Sequence, residues 1–175
     1  MEKILNLFPS NMRGEIKNIL AKMDGIPQPV EFHPEGDVLA HTIIVVNKVI
    51  EAGGDLPTIF AALMHDVGKI LTPEEMLPWH IGHDKQGAVL IQDLKNNPTN
   101  IPREWWDAAE FVALNHMRAH NVKKKNKILR LVIESNATII GFKGFKLVVL
   151  ADGDDRKPLG KLFEEDSKVG KQSYI

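Results

Sequence analysis

The sequence contains no cysteine. That excludes disulfides and thiolate metal sites, so any metal must be held by nitrogen and oxygen donors, and it fits a reducing compartment. Charge of one sign is also missing. Lysine and arginine number 22 against 23 aspartates and glutamates, a net charge of -1 with histidines neutral, which gives no bulk attraction to nucleic acid or to an anionic membrane. No apolar run approaches the roughly 18 residues of a membrane span. Met1-Glu2-Lys3-Ile4-Leu5 mixes charge into its apolar residues and lacks a signal-sequence pattern. There is no internal repeat and no low-complexity segment. What is present is an ordinary globular composition, 43% hydrophobic and 26% charged over 175 residues. That suffices for one sizeable core and is short for two. A soluble, cytoplasmic, single-domain protein is the expectation.

Apolar spacing is helical nearly throughout. Met12, Ile16, Ile19, Leu20 and Met23 form one stripe, broken by Asp24-Gly25-Ile26-Pro27. Asp37 is placed to cap a helix running through His41 to about Ala52, and Gly53-Gly54-Asp55 ends it. Pro57 fits the first turn of the next helix, which carries Phe60 to Asp66. Thr72-Pro73-Glu74-Glu75 reads as another helix start, Asp84 as the start of a helix to about Asn96, and Pro102 as the opening of one through His116. Two further helices are expected, roughly Lys127 to Ile139 and Phe142 to Asp152, although Leu147-Val148-Val149-Leu150 has the composition of a short strand. The expected fold is all-α: a helical bundle with an N-terminal helix over 1–26, a catalytic domain over 27–156 and a charged tail over 157–175.

The chemistry centres on Phe60-Ala61-Ala62-Leu63-Met64-His65-Asp66-Val67-Gly68-Lys69. An imidazole beside a carboxylate at the end of an apolar helix offers two metal ligands, and His41, His83, His116 and Asp152 are further candidates. These residues lie on distant elements, and a helical bundle builds a metal site by converging such elements in its core. Imidazole and carboxylate suit one or two ions of zinc, iron, manganese, nickel or cobalt. Asp66 is placed to bridge two ions, with His83 and His116 supplying the second; such a pair polarises a phosphoryl oxygen and gives hydroxide at neutral pH. Asp66 and Lys69 are the expected catalytic residues, Lys69 offering its charge to a phosphate.

Competing readings stand beside these. His116 and His120 share one helical face, and His116 is preferred; Asp152 competes with Asp154 and Asp155 and is chosen because it directly follows the apolar helix. His83-Asp84 can also serve simply as a helix cap. Trp79 and His80 are candidate substrate contacts, Trp79 by stacking on a base, and Arg118 and Arg156 are candidate phosphate contacts. The run Lys123-Lys124-Lys125 reads as a solvated loop.

The order His41, His65-Asp66, Asp152 resembles the HD superfamily of metal-dependent phosphohydrolases. A closer likeness is to the C-terminal HD domain of bacterial CCA-adding tRNA nucleotidyltransferases. It rests on His33-Pro34-Glu35-Gly36-Asp37 with His41-Thr42, on Phe60 to Lys69, on Leu71-Thr72-Pro73-Glu74 and on Trp79-His80-Ile81-Gly82-His83, with Asn115-His116 and Ala151-Asp152 fitting more loosely. The likeness covers about Pro27 to Asp152. It implies a helical fold, a divalent metal site, and phosphodiesterase or phosphatase activity toward 2′,3′-cyclic and 2′-phosphate nucleotides. Nothing in the sequence resembles the nucleotidyltransferase head or the tRNA-binding arm, so a stand-alone HD domain is expected. The expected partner is a phosphorylated nucleotide or RNA end, with neither membrane nor DNA indicated. The alternative is a non-catalytic, metal-stabilised module that binds nucleotide or RNA.

Overall fold

Each helix that carries a candidate ligand starts or stops where the local sequence supplies a cap or a break. The computed structural model describes residues 1–153, which form eight α-helices and two short 3-10 turns. The helices are α1 (Glu2–Leu5), α2 (Ser10–Ala21), α3 (Val38–Glu51), α4 (Leu56–Met64), α5 (His83–Asn96), α6 (Arg103–Asn121), α7 (Lys125–Asn136) and α8 (Gly141–Asp152). Asp37 and Asp55 act as the N-caps of α3 and α4, accepting from Ala40 N at 2.7 Å and from Thr58 N at 3.0 Å respectively. No strand occurs among the described residues, where the extended contact is a single bridge between Pro27 and Asp37. The fold is all-α.

Among the described residues, nearly all the buried apolar side chains join one core. In α4, Ile59 through Met64 are all buried, the signature of a helix enclosed on every side. It packs against α3, α6 and α8, while α5 packs on α6 and on the turn Val67–Leu71. Trp106 of α6 is fully buried and meets Phe60 edge-to-face at 4.9 Å, an arrangement that adds about 0.5–1.5 kcal/mol beyond burial. Ile4, Leu5, Phe8, Met12, Ile16 and Leu20 of the N-terminal segment belong to the same core.

Two local expectations differ from the structure and one alternative is resolved. Leu147 to Leu150 is helical, as the expected helix to Asp152 requires and not as its strand-like composition would have it, because Val148 and Val149 bury fully on the inner side of α8; packing overrides β-propensity here. The start at Thr72 yields only the turn Glu74–Met76, since Leu77 precedes Pro78 and is held extended at ψ 144°. Helix α6 continues beyond His116 to Asn121, which places His120 on the same inward face. Arg156, Asp154, Asp155 and the tail 157–175 lie outside the described residues. No helix among the described residues is long and apolar enough to cross a membrane.

Candidate metal centre

The histidines around Asp66 are oriented by a shared local device. His65 Nδ1 donates to Ala62 O at 2.8 Å, His83 Nδ1 to His80 O at 2.7 Å, and His116 Nδ1 to Ala113 O at 2.9 Å. In each case the acceptor is the carbonyl three residues earlier, supplied by the helix or turn itself. A carbonyl oxygen only accepts, so Nδ1 carries the proton and Nε2 is the atom turned toward the centre. His41, in the first turns of α3, differs: its Nδ1 donates to Glu35 Oε1 at 2.6 Å.

The two oxygens of Asp66 face different histidines. Oδ2 lies 3.2 Å from His65 Nε2 and 3.8 Å from His41 Nε2. Oδ1 lies 3.2 Å from His83 Nε2 and 3.5 Å from His116 Nε2. Asp152, at the end of α8, closes the first group, with Oδ1 at 3.0 Å from His41 Nε2 and 3.5 Å from His65 Nε2. His41, His65, Asp66 and Asp152 therefore form one set of donors able to hold an ion, and Asp66, His83 and His116 form a second. Asp66 belongs to both.

The charge state of the cluster points the same way. Burial alone would lower the pKa of His65, but Asp66 and Asp152 outweigh it and drive the group up to about 10. Burial would raise Asp66; Lys69 and His65 outweigh that and hold the carboxyl well below its usual range. Asp152 is held low against its own burial by His65, His120 and His41. His65 Nε2 is fully buried and makes no hydrogen bond of acceptable geometry. His83 Nε2 and His116 Nε2 stand 3.2 Å apart, and with both Nδ1 atoms donating, at most one proton can lie between them. Convergent nitrogen lone pairs and carboxylates around an orphaned buried nitrogen are what a divalent transition ion satisfies. The residues fit such an ion.

The remaining candidates are placed variously. Lys69 is buried: its Nζ lies 2.7 Å from Asp66 Oδ2 and also donates to Gln28 Oε1. Both ring nitrogens of His80 are engaged, Nδ1 with Thr72 Oγ1 at 2.7 Å and Nε2 with Pro27 O at 3.0 Å, so His80 ties two loops together. Trp79 beside it is half exposed, at 50%. Arg118 is not brought to the centre; it bonds Asn115 Oδ1 at 3.2 Å and Glu134 Oε2 at 3.1 Å.

Several residues of the site are given no role there by the sequence. Glu35 and His33 reach it through the loop before α3, where Gly36 adopts φ +101°, a conformation open to glycine. His120 bonds Asp152 Oδ2 at 2.6 Å, a role that its spacing from His116 hinted at. Gln28 is fully internal, and only the folded loop brings it to Lys69.

Gly68, between Asp66 and Lys69, has a steric reason. A Cβ there would overlap the His83 carbonyl and the Gly87 amide, and would stand 2.8 Å from Gly87 Cα. The glycine lets the turn after Asp66 press against the start of α5, which brings His83 to Asp66.

A family model described as HD domain matches residues 38–139. Curated relatives named Multifunctional CCA protein match as well. That of Methylobacillus flagellatus is 38% identical over 129 residues, covering 71% of this chain and 31% of the relative. That of Alkalilimnicola ehrlichii is 38% identical over 110 residues, 61% of this chain and 26% of the relative. That of Burkholderia vietnamiensis is 34% identical over 152 residues, 84% of this chain and 37% of the relative. The chain thus spans roughly a third of the length of these relatives. No solved structure matches.

Proposed function

The chain belongs to the HD domain family, and on that premise we propose that it is a metal-dependent phosphohydrolase acting in the cytoplasm on a phosphomonoester or phosphodiester of a nucleotide or RNA end. The observation that carries this reading is the shared carboxylate of Asp66, whose two oxygens each face a separate set of imidazoles. His41, His65, Asp66 and Asp152 would hold one ion, and Asp66, His83 and His116 a second. Divalent ions in such a site activate water at neutral pH and polarise the phosphoryl group under attack.

The chain's own residues prepare the site. Main-chain carbonyls fix the tautomers of His65, His83 and His116, so each offers Nε2 without reorganisation. Lys69 fixes the Oδ2 side of Asp66 and brings a buried positive charge beside the centre, where it offsets negative charge gathered around a phosphate. Trp79, exposed on the loop before His83, is the candidate surface for a base next to that phosphate. A 2′,3′-cyclic nucleotide joins both demands, a strained phosphodiester and an adjacent base, and it is the favoured substrate. The relatives' name, Multifunctional CCA protein, agrees with an RNA-related substrate.

The test is hydrolysis of 2′,3′-cyclic AMP by the purified protein supplied with nickel, manganese or cobalt, beside chelator-treated protein and Asp66→Asn. Metal-dependent turnover by the wild type alone is the expected result. Absence of product with any of the three metals rejects the cyclic phosphodiesterase. If thermal stabilisation by the nucleotide then persists without product, the protein is a binding module.

A further inference from the structure

Of the histidines facing Asp66, His41 alone is oriented by a side chain rather than by its own backbone, and that side chain is an anion. Glu35 Oε1 accepts from His41 Nδ1 at 2.6 Å and from His33 Nδ1 at 3.2 Å. The His33 ring stands edge-to-face on His41 at 4.5 Å. Glu35 is held in place from both sides of the loop. Gln28 N donates to Gly36 O at 3.1 Å, Gln28 Nε2 donates to Asp37 O at 3.1 Å, and Val38 N donates to Ile26 O at 3.0 Å. Gln28 also receives Lys69, which in turn contacts Asp66. One loop therefore braces two members of the metal cluster from outside it.

We propose that Glu35 is a positioning residue that strengthens His41 as a metal donor, with His33 clamping the carboxylate in place. A carboxylate on the far nitrogen of an imidazole fixes the ring and raises the electron density at the near one; removing such a partner lowers metal affinity by about 10- to 100-fold. The three groups His33, Glu35 and His41 also lie close enough to hold an ion among themselves. That arrangement would need the Nδ1 of His41, which is already engaged by Glu35 at 2.6 Å while Nε2 faces Asp152 at 3.0 Å. A supporting role for one ion accounts for both contacts at once; a third site accounts for neither.

This inference rests on the metal reading above, and its test separates the two. Cobalt(II) binding to wild type, Glu35→Gln and Glu35→Ala would be followed by calorimetry and by the visible absorption of the bound ion. Metal-free melting curves would be recorded alongside. Glu35→Gln keeps the shape and an acceptor oxygen but loses the charge, so it should bind about 10-fold more weakly, with a shifted cobalt band. Glu35→Ala loses the partner outright and should approach the 100-fold end of that range. Glutamine binding cobalt as tightly as wild type, with an unchanged spectrum, overturns the proposal. If wild type itself binds no cobalt, the metal reading fails and this inference falls with it.

Discussion

Replacing Asp66 by asparagine separates the electrostatic part of the centre from its shape. The side chain keeps its size, but the carboxylate charge between Lys69 Nζ at 2.7 Å and His65 Nε2 at 3.2 Å is gone. All three residues are buried. Removing one partner of a buried ion pair leaves the other uncompensated, at a cost of about 3–5 kcal/mol. Loss of one anion also relieves repulsion with Asp152, which contacts the same His41 and His65, so the lower end of that range, about 3 kcal/mol, is expected. For a domain of this size about 1 kcal/mol corresponds to roughly 2–4 °C, so the metal-free variant should melt about 6–12 °C below wild type. Typical domain stabilities of about 5–15 kcal/mol leave it folded at 25 °C. The assay is calorimetry in chelator, repeated with manganese or nickel in excess. Wild type should gain about 2.7 kcal/mol when metal is present at about 100 times its dissociation constant. The variant, lacking the shared ligand, should gain little. An unchanged melting temperature in chelator together with an undiminished metal shift would refute the reasoning.

Three further outcomes follow from individual contacts. Without metal, and against its burial, Asp66 and Asp152 raise His65 from an ordinary 6.5 to about 10. The stabilisation from its proton is therefore complete below 6.5 and is lost as pH rises through about 10. Urea denaturation in chelator from about pH 7 to 11 should show that fall, and metal-loaded protein, in which an ion would replace the proton of His65, should show less of it; superimposable profiles would count against the assignment. Gly68→Ala forces a methyl into the His83 carbonyl and the Gly87 amide. Backbone cannot yield as a flexible side chain does, so a loss of at least about 1–3 kcal/mol by denaturant titration is expected, with weakened metal binding as His83 is pushed from Asp66. Trp79→Ala, at a half-exposed position, should leave the melting temperature nearly unchanged and raise KM for a nucleotide substrate by the equivalent of about 1–3 kcal/mol; an unaltered KM removes Trp79 from the substrate site.

What could be read from the sequence and what could not divide along a physical line. Asp37 and Pro57 announce helix starts through interactions spanning at most a few residues, so the beginnings of α3 and α4 are legible, whereas α4 stops at Met64, short of the expected Asp66, and Asp55, read as part of the break after α3, is the cap of α4. His65-Asp66 is legible for the same reason: the pair ends an apolar helix, and its burial is a local consequence of that run. His41, His83, His116 and Asp152 can be singled out as residue types at helix ends or on helix faces, and the fold places them around Asp66. The length of α6 was less legible, because no strong breaker follows His116, and the role of His120 depended on that length. Glu35 is visible only as part of the His33-to-Asp37 motif, without a role; that role, the place of Gln28 and the burial of Lys69 are not legible, since each depends on the loop before α3 closing against residues as far as 41 positions away. A turn of proline, glycine and aspartate is readable as a turn; the direction in which it aims its glutamate is not.

That division also explains how the centre is built. A buried imidazole costs free energy unless both nitrogens have partners. His65, His83 and His116 satisfy one nitrogen within their own turn of backbone, leaving tertiary structure to supply only the other. Such a histidine brings its orientation with it wherever the helix is placed. His41 has no such internal partner and depends on Glu35, so its orientation is a property of the loop and not of the helix. On the proposed two-ion reading, perturbing the loop should therefore weaken an ion held at His41 before it weakens one held by Asp66, His83 and His116. Cobalt titration of Glu35→Ala should resolve this as one weakened and one retained binding event, whereas uniform weakening of both would show that the loop acts on the centre as a whole.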